Sequence, residues 1–389
     1  MTKLWNKNYI LCCAANFLSF FAFYVLLPVL PLYLDEAMCA SKAKIGSVLS
    51  LYAIACLLFR PFSGYLVDSY SRKLILIISF ATFAAVFGGY LFAGTILSFA
   101  IVRALHGLTY GAVSVSNSTV AIDVMPPEKR GSGIAFYGVA NNIAMCIGPS
   151  VSMFMYQSGV SFTYIFVLAL LTAFAAFVAA CFVTTPKKEI VSGKQKLSFD
   201  RFWLGIAWRQ SVNLTFVAFA YGLVTTFLAI YGKEELGLAH GSGTFFLLLA
   251  IGIIVSRIVA SRNINKGRVT VNILRGTAIL TLGYGIFALW TAPAGYYISA
   301  LIIGFGQGML APAYQTVFIN MAPNRLRGTA NSTYLTSWDV GAAIGIFAGG
   351  FLVEHLGYQQ AFLICALMTF IAFVLFRLIS ASHYEAHKV

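Results

Sequence analysis

Long apolar runs separated by short polar turns set the pattern of this chain. The runs fall at 9–34, 45–67, 74–93, 95–121, 131–156, 161–183, 209–231, 243–261, 270–291, 295–319, 328–352 and 359–380. Each can cross a hydrocarbon core of about 30 Å as an α-helix, which satisfies its own backbone hydrogen bonds in lipid. The pattern predicts an all-α membrane protein with twelve transmembrane helices. The longest polar connection, Thr185 to Trp208, carries Lys187, Lys188, Lys194, Lys196 and Arg201. It predicts two six-helix halves, 1–184 and 209–389, with a cytoplasmic linker at 185–208.

Composition removes the soluble alternative. Of 389 residues 60% are hydrophobic and 10% charged, against about a quarter charged in a soluble domain. The net charge of +14 lies in alternate loops. With the N-terminus in the cytoplasm, the inner side receives Lys3, Lys7, Arg72, Lys73, Lys129, Arg130, the linker cations, Arg262, Lys266, Arg268, Arg325, Arg327 and Lys388. The outer loops hold Lys42, Lys44 and Lys233 beside Asp35, Glu36, Glu234, Glu235 and Glu354. That bias follows the positive-inside rule and predicts a multi-pass protein of the bacterial cytoplasmic (inner) membrane, both termini cytoplasmic. The start MTKLWNKNY leads straight into the first run, so no cleavable signal is expected.

Other chemistries find no support. The seven cysteines (Cys12, Cys13, Cys39, Cys56, Cys146, Cys181, Cys365) lack paired metal-ligand spacing, and six lie in apolar runs as small packing residues. No P-loop, nucleophile elbow, His-Glu cluster or dinucleotide fingerprint occurs. No enzyme activity, catalytic residue, metal or cofactor is expected. Nor is nucleic acid, because no basic block or aromatic-basic module is present.

The loops repeat. HGLTYGAVSVSNSTVAIDVMPPEKRGSG (106–133) has a counterpart in QGMLAPAYQTVFINMAPNRLRGTA (307–330), and RPFSGYLVDSYSRK (60–73) has a weaker one in RIVASRNINKGR (257–268). The two halves are therefore pseudo-symmetric. Such halves mark secondary transporters, with substrate bound near the midplane between them.

Over essentially its full length the chain resembles the major facilitator superfamily. Gly64, Leu66, Asp68, Arg72 and Lys73 match that family's loop motif G-x-L-x-D-x-x-G-R-K, with Ser71 where a second glycine is usual. RALHG, Arg103 to Gly107, resembles the helix 4 motif R-x-x-x-G associated with proton coupling. GVANNIAMCIGPSVS resembles the helix 5 antiporter motif through Gly138, Gly148 and Pro149, although the glycines that usually follow are absent. The resemblance implies that Asp68 approaches the start of helix 11, Arg327 and Gly328, and latches the cytoplasmic side shut. A carboxylate at a helix N-terminus gains about 0.3–1 kcal/mol. Asn265 stands near the corresponding place in the second half, so its latch is expected to be weaker.

Ionisable groups at membrane depth are costly and therefore mark function. Arg103 lies about eight residues into helix 4, with His106 one turn away on the same face. Asp339 lies about eleven residues into helix 11, the one acid placed near the midplane. These three are the expected proton-coupling residues, with Asp339 and Arg103 paired across the halves. Arg60 and Arg257 are expected to snorkel toward the cytoplasmic face. Phe17, Phe20, Tyr24, Tyr221 and Phe227, on helices that line the cavity in similar proteins, and Asn141, Asn142 and Gln307, neutral hydrogen-bonding groups at similar depths, are the expected substrate contacts.

Together these features predict a monomeric secondary transporter that exports a small apolar or amphipathic compound in exchange for protons, by alternating access. A proton-coupled sugar or metabolite transporter and a lipid-linked flippase on the same fold are the alternatives. Its partners are the small-molecule substrate, protons and the lipid bilayer.

Overall fold

The computed structural model describes residues 4–126, 129–185, 203–238, 241–323 and 326–388. The first expected span is two helices, α1 (Lys7–Leu26) and α2 (Val29–Glu36), interrupted at Leu27 and Pro28. Proline lacks an N–H and its ring clashes with the preceding turn, so apolarity continues through Pro28 while helical bonding does not. Then follow α3 (Lys42–Ser69), α4 (Arg72–Phe92), α5 (Ile96–Asp123), α6 (Arg130–Gln157) and α7 (Phe162–Cys181). The second set is α8 (Trp208–Glu234), α9 (Ser242–Asn265), α10 (Val269–Leu289), α11 (Pro293–Asn320), α12 (Arg327–Leu356) and α13 (Tyr358–Leu375). The last span then runs on through a π-helical turn, Phe376–Ser380, into α14 (Ala381–His387).

Ten of these helical runs are long and apolar enough to cross a membrane among the described residues. α6 and α9 complete the twelve, α9 through a shorter apolar stretch, Ser242–Arg257.

The chain divides into two compact units, one of Met1–Met38 with Leu51–Leu197, the other of Cys39–Ser50 with Ser198–Val389. In the first, α1 packs on α6 and α7, and α4 on α5 and α7. In the second, α8 packs on α12 and α13, and α10 on α11 and α13. Each pair recurs six spans later, so the repeat legible in the loops extends to the packing.

The packing faces are small-sided. α7 is apolar all round, yet it buries Ile165, Phe166, Ala169, Ala173, Ala176 and Ala180, a stripe at helical spacing. Leu171 and Phe174 point outward. Lipid is as apolar as leucine, so close backbone approach rather than hydrophobicity decides which face meets a neighbour.

The second unit includes the start of α3 for a visible reason. Lys42 Nζ pairs with Glu234 Oε1 at 2.7 Å, and Glu354 accepts the Ala43 N–H at 2.7 Å. Tyr358 Oη also donates to Glu234, at 2.6 Å.

Candidate functional site

The most unusual chemistry of the first unit lies on α5. Thr95 caps this helix, its hydroxyl accepting the Ser98 N–H at 3.1 Å while Ser98 Oγ accepts the Thr95 N–H at 3.0 Å. That reciprocal cap satisfies two otherwise unpaired donors and starts the helix at a defined residue. Arg103 then falls in the third turn and His106 one turn below it.

Arg103 is 2% exposed. Its guanidinium sits over the Tyr52 ring of α3, 4.6 Å from the centroid. Its Nε and Nη1 are buried without a hydrogen-bond partner. Among the described residues no carboxylate forms an ion pair with it. The ring face, at about 2 kcal/mol for a desolvated cation–π contact, and a hydrogen bond with Tyr90 offset part of a penalty of several kcal/mol for a buried ion.

His106 is fully buried in a box of rings. Its Nδ1 lies 2.8 Å from Tyr90 Oη. Phe87, Tyr52, Phe83 and Phe23 stand edge to face around it at 4.6, 5.2, 5.5 and 6.0 Å. Its Nε2 has no partner. Gly107 is what lets α5 come this close to α3: a Cβ there would lie 3.0 Å from Ala55 Cβ and nearer still to the Tyr52 carbonyl.

In the second unit Asp339 is half-buried on α12. Tyr334, one turn earlier, interacts electrostatically with both Asp339 and Arg257 of α9. Arg257 and Asp339 therefore act on the same tyrosine with opposite signs. Neighbouring Trp338 packs on Tyr221, with centroids 5.3 Å apart. Gln307 of α11 is 5% exposed, and its Oε1 is buried without a partner. The expected Asp339–Arg103 pair is divided between the two units, and each member has its own set of neighbours.

The expected substrate contacts separate into groups. Phe17 stacks on Phe21 at 5.8 Å, and Phe20 lies between Tyr24 at 6.2 Å and Tyr110 at 5.5 Å. Asn141 accepts a hydrogen bond from Asn16 Nδ2, which also donates to the Tyr137 carbonyl at 3.1 Å. Asn142 is half-buried. Phe227 is fully buried, and a Cβ at Gly349 of α12 would lie 3.3 Å from its ring; it serves helix packing. Asn16 was not singled out from the sequence, although one amide inside an otherwise greasy first run was the available signal. The same holds for Asn117, whose Nδ2 donates to the Cys12 carbonyl at 3.1 Å and to Tyr137 Oη at 2.9 Å.

The loop motif does more than mark an exit from the membrane. Arg72 forms an ion pair with Asp123, the last residue of α5. Lys73 Nζ donates to the carbonyls of Ala180, Cys181 and Val183 at 2.9, 2.7 and 2.5 Å. These carbonyls lie at and just past the end of α7, where a cation is also favoured by the helix dipole. Gly64 and Gly138 face open space. A Cβ at Gly148 would lie 2.8 Å from Tyr24 Cβ, so this glycine seats α6 on α1, with Pro149 buried beside it. The side chains of Asp68 and Arg327 and the surroundings of Gly328 lie outside the described residues.

The sequence profile of the Major Facilitator Superfamily matches residues 12–346 and 279–388. The multidrug resistance protein MdtG of Rahnella sp. (strain Y9602) is 25% identical over 385 residues, covering 94% of this chain and 91% of the relative. The quinolone resistance protein NorA of Staphylococcus aureus (strain MRSA252) is 25% identical over 370 residues, covering 90% and 91%. Among solved structures, the nucleoside transporter NupG shares the fold at a TM-score of 0.73 with 16% identity, over 95% of this chain and 98% of that one.

Proposed function

The chain belongs to the major facilitator superfamily of membrane transporters, and on that premise we propose that it exports a small apolar or amphipathic compound in exchange for protons. One observation carries the reading. Arg103 and His106 are held at depth in α5, 2% and 0% exposed, with unpartnered nitrogens on both. Such groups are expensive at membrane depth, and a transporter needs ionisable sites whose stability changes between conformations. Asp339 supplies the matching carboxylate in the second unit. Its protonation removes a half-buried charge, so protonated and ionised forms favour different conformations of the alternating-access cycle.

Relatives named for multidrug and quinolone resistance support an apolar or amphipathic cargo, as do the rings of Phe17, Phe20, Tyr24 and Tyr221. The protein works as a monomer in the inner membrane with both termini cytoplasmic. The test is ΔpH-driven uptake of ethidium and norfloxacin into proteoliposomes. Asp339→Asn, which mimics the protonated acid, loses accumulation but keeps substrate exchange at equal pH. Accumulation that survives in this variant removes Asp339 from coupling; accumulation in neither the wild type nor the variant removes proton antiport of these compounds.

A further inference from the structure

The linker-side end of the second unit carries a groove that the transport reading leaves unused. It measures about 600 Å³ and lies between the start of α8 and the α13–α14 junction, lined by Arg209, Leu378, Ile379, Ser382, His383 and His387. We propose that it holds the phosphate headgroup of an anionic phospholipid, with Arg209 as the principal contact.

Three observations carry this. First, the donors converge. Arg209 Nε is buried without a hydrogen-bond partner, and the guanidinium is steadied over the Trp208 ring at 5.4 Å from its centroid. His383 and His387 stack at 4.3 Å on the opposite wall, adding imidazole groups, and Ser382 adds a hydroxyl. Second, the groove carries a positive charge from Arg209. The acid of α14, Glu385, is occupied by Lys388 at 2.5 Å, and among the described residues the groove lining contains no carboxylate. Arginine suits phosphate because its planar donors match the oxygens and it is weakly hydrated.

Third, the rim is greasy. Leu378 is 68% exposed, Trp208 53% and Ile379 43%. A soluble anion gains nothing from such a rim, whereas acyl chains cover it. Tryptophan beside arginine at the end of a span is also the composition of the headgroup level of a bilayer. The π turn builds the groove by carrying α13 into α14 without a break, which sets the two histidines opposite Arg209.

The test uses the full chain in detergent, titrated with dioleoyl phosphatidylglycerol or dioleoyl phosphatidylcholine and read by native mass spectrometry and melting temperature. The wild type prefers the anionic lipid by roughly fivefold or more, the scale of one arginine at a membrane surface. Arg209→Gln removes the preference, Arg209→Lys keeps part of it, and His383→Gln with His387→Gln weakens it less. Equal binding of both lipids, or a preference that survives Arg209→Gln in a folded variant, overturns the proposal. Inorganic phosphate at millimolar concentration does not displace the lipid; displacement identifies a soluble-anion site and also overturns it.

Discussion

The turn from α3 to α4 and the turn from α9 to α10 hold equivalent places in the two units, yet they are fastened by different chemistry. The first uses charge. Arg72 pairs with Asp123 at the end of α5, and Lys73 caps three carbonyls at the end of α7. The second uses amides. Asn263 Nδ2 donates to Asn272 Oδ1 at 2.8 Å, and Asn272 Nδ2 donates to the Ala260 carbonyl at 2.9 Å. Val269 and Thr270 open α10 where Arg72 and Lys73 open α4. Asn320 ends α11 where Asp123 ends α5, and it donates to Tyr384 Oη at 3.1 Å.

The difference follows from how the sixth helix of each unit finishes. α7 stops at Cys181 and leaves carbonyls that need donors. α13 does not stop; it passes through the π turn into α14, so those carbonyls are used within the helix. A helix that ends calls in a lysine, and a helix that continues has no place for one.

Removing the lysine should have the largest effect. Lys73→Met leaves three carbonyls without their cation and costs about 2–3 kcal/mol, the scale of charge-assisted hydrogen bonds lost from a partly buried site. The melting temperature of the purified protein checks this. Thr270→Lys in the second unit gains nothing, and a gain would break the argument from helix ends.

Next comes the ion pair. Its side chains are 13% and 26% exposed, so it is only partly screened. Asp123→Asn should cost about 1–2 kcal/mol, more than the 0–1 kcal/mol of a surface pair. Exchanging the two residues, Arg72→Asp with Asp123→Arg, should recover part of the loss. A double variant no better than the sum of the two singles would remove the pairing as the cause.

The neutral contact is the smallest. Asn320→Ala loses one amide–hydroxyl hydrogen bond and should cost about 0.5–1.5 kcal/mol. A larger loss than at Asp123 would mean that the second unit depends on its amides as much as the first does on its charges.

Much of the fold was legible because membrane burial is a local property. A run of apolar residues declares a span on its own, and the repeated basic turns declare the relation between the halves. The depth of Arg103, His106 and Asp339 followed from counting along helices. What counting could not supply was partners. Lys73 meets carbonyls 107 to 110 positions away, and Asn16 meets Asn141 125 positions away. Arg72 and Lys73 read from the sequence as part of a loop motif at the cytoplasmic side, because nothing near them names the ends of α5 and α7 as their targets.

The sequence by itself determined the class of molecule, the number of spans, the twofold repeat and the residues too polar for their depth. Each of these depends on how one segment partitions between water and lipid, a free energy summed over neighbouring residues. Tertiary structure alone decided that His106 sits in a closed box of rings and that Arg103 lies over Tyr52 with no carboxylate paired to it among the described residues. It also decided that Phe227 packs against α12 and that Arg257 and Asp339 both act on Tyr334. In an apolar medium every apolar face is equally content, so the choice among faces falls to close backbone approach and to a few hydrogen bonds between distant helices.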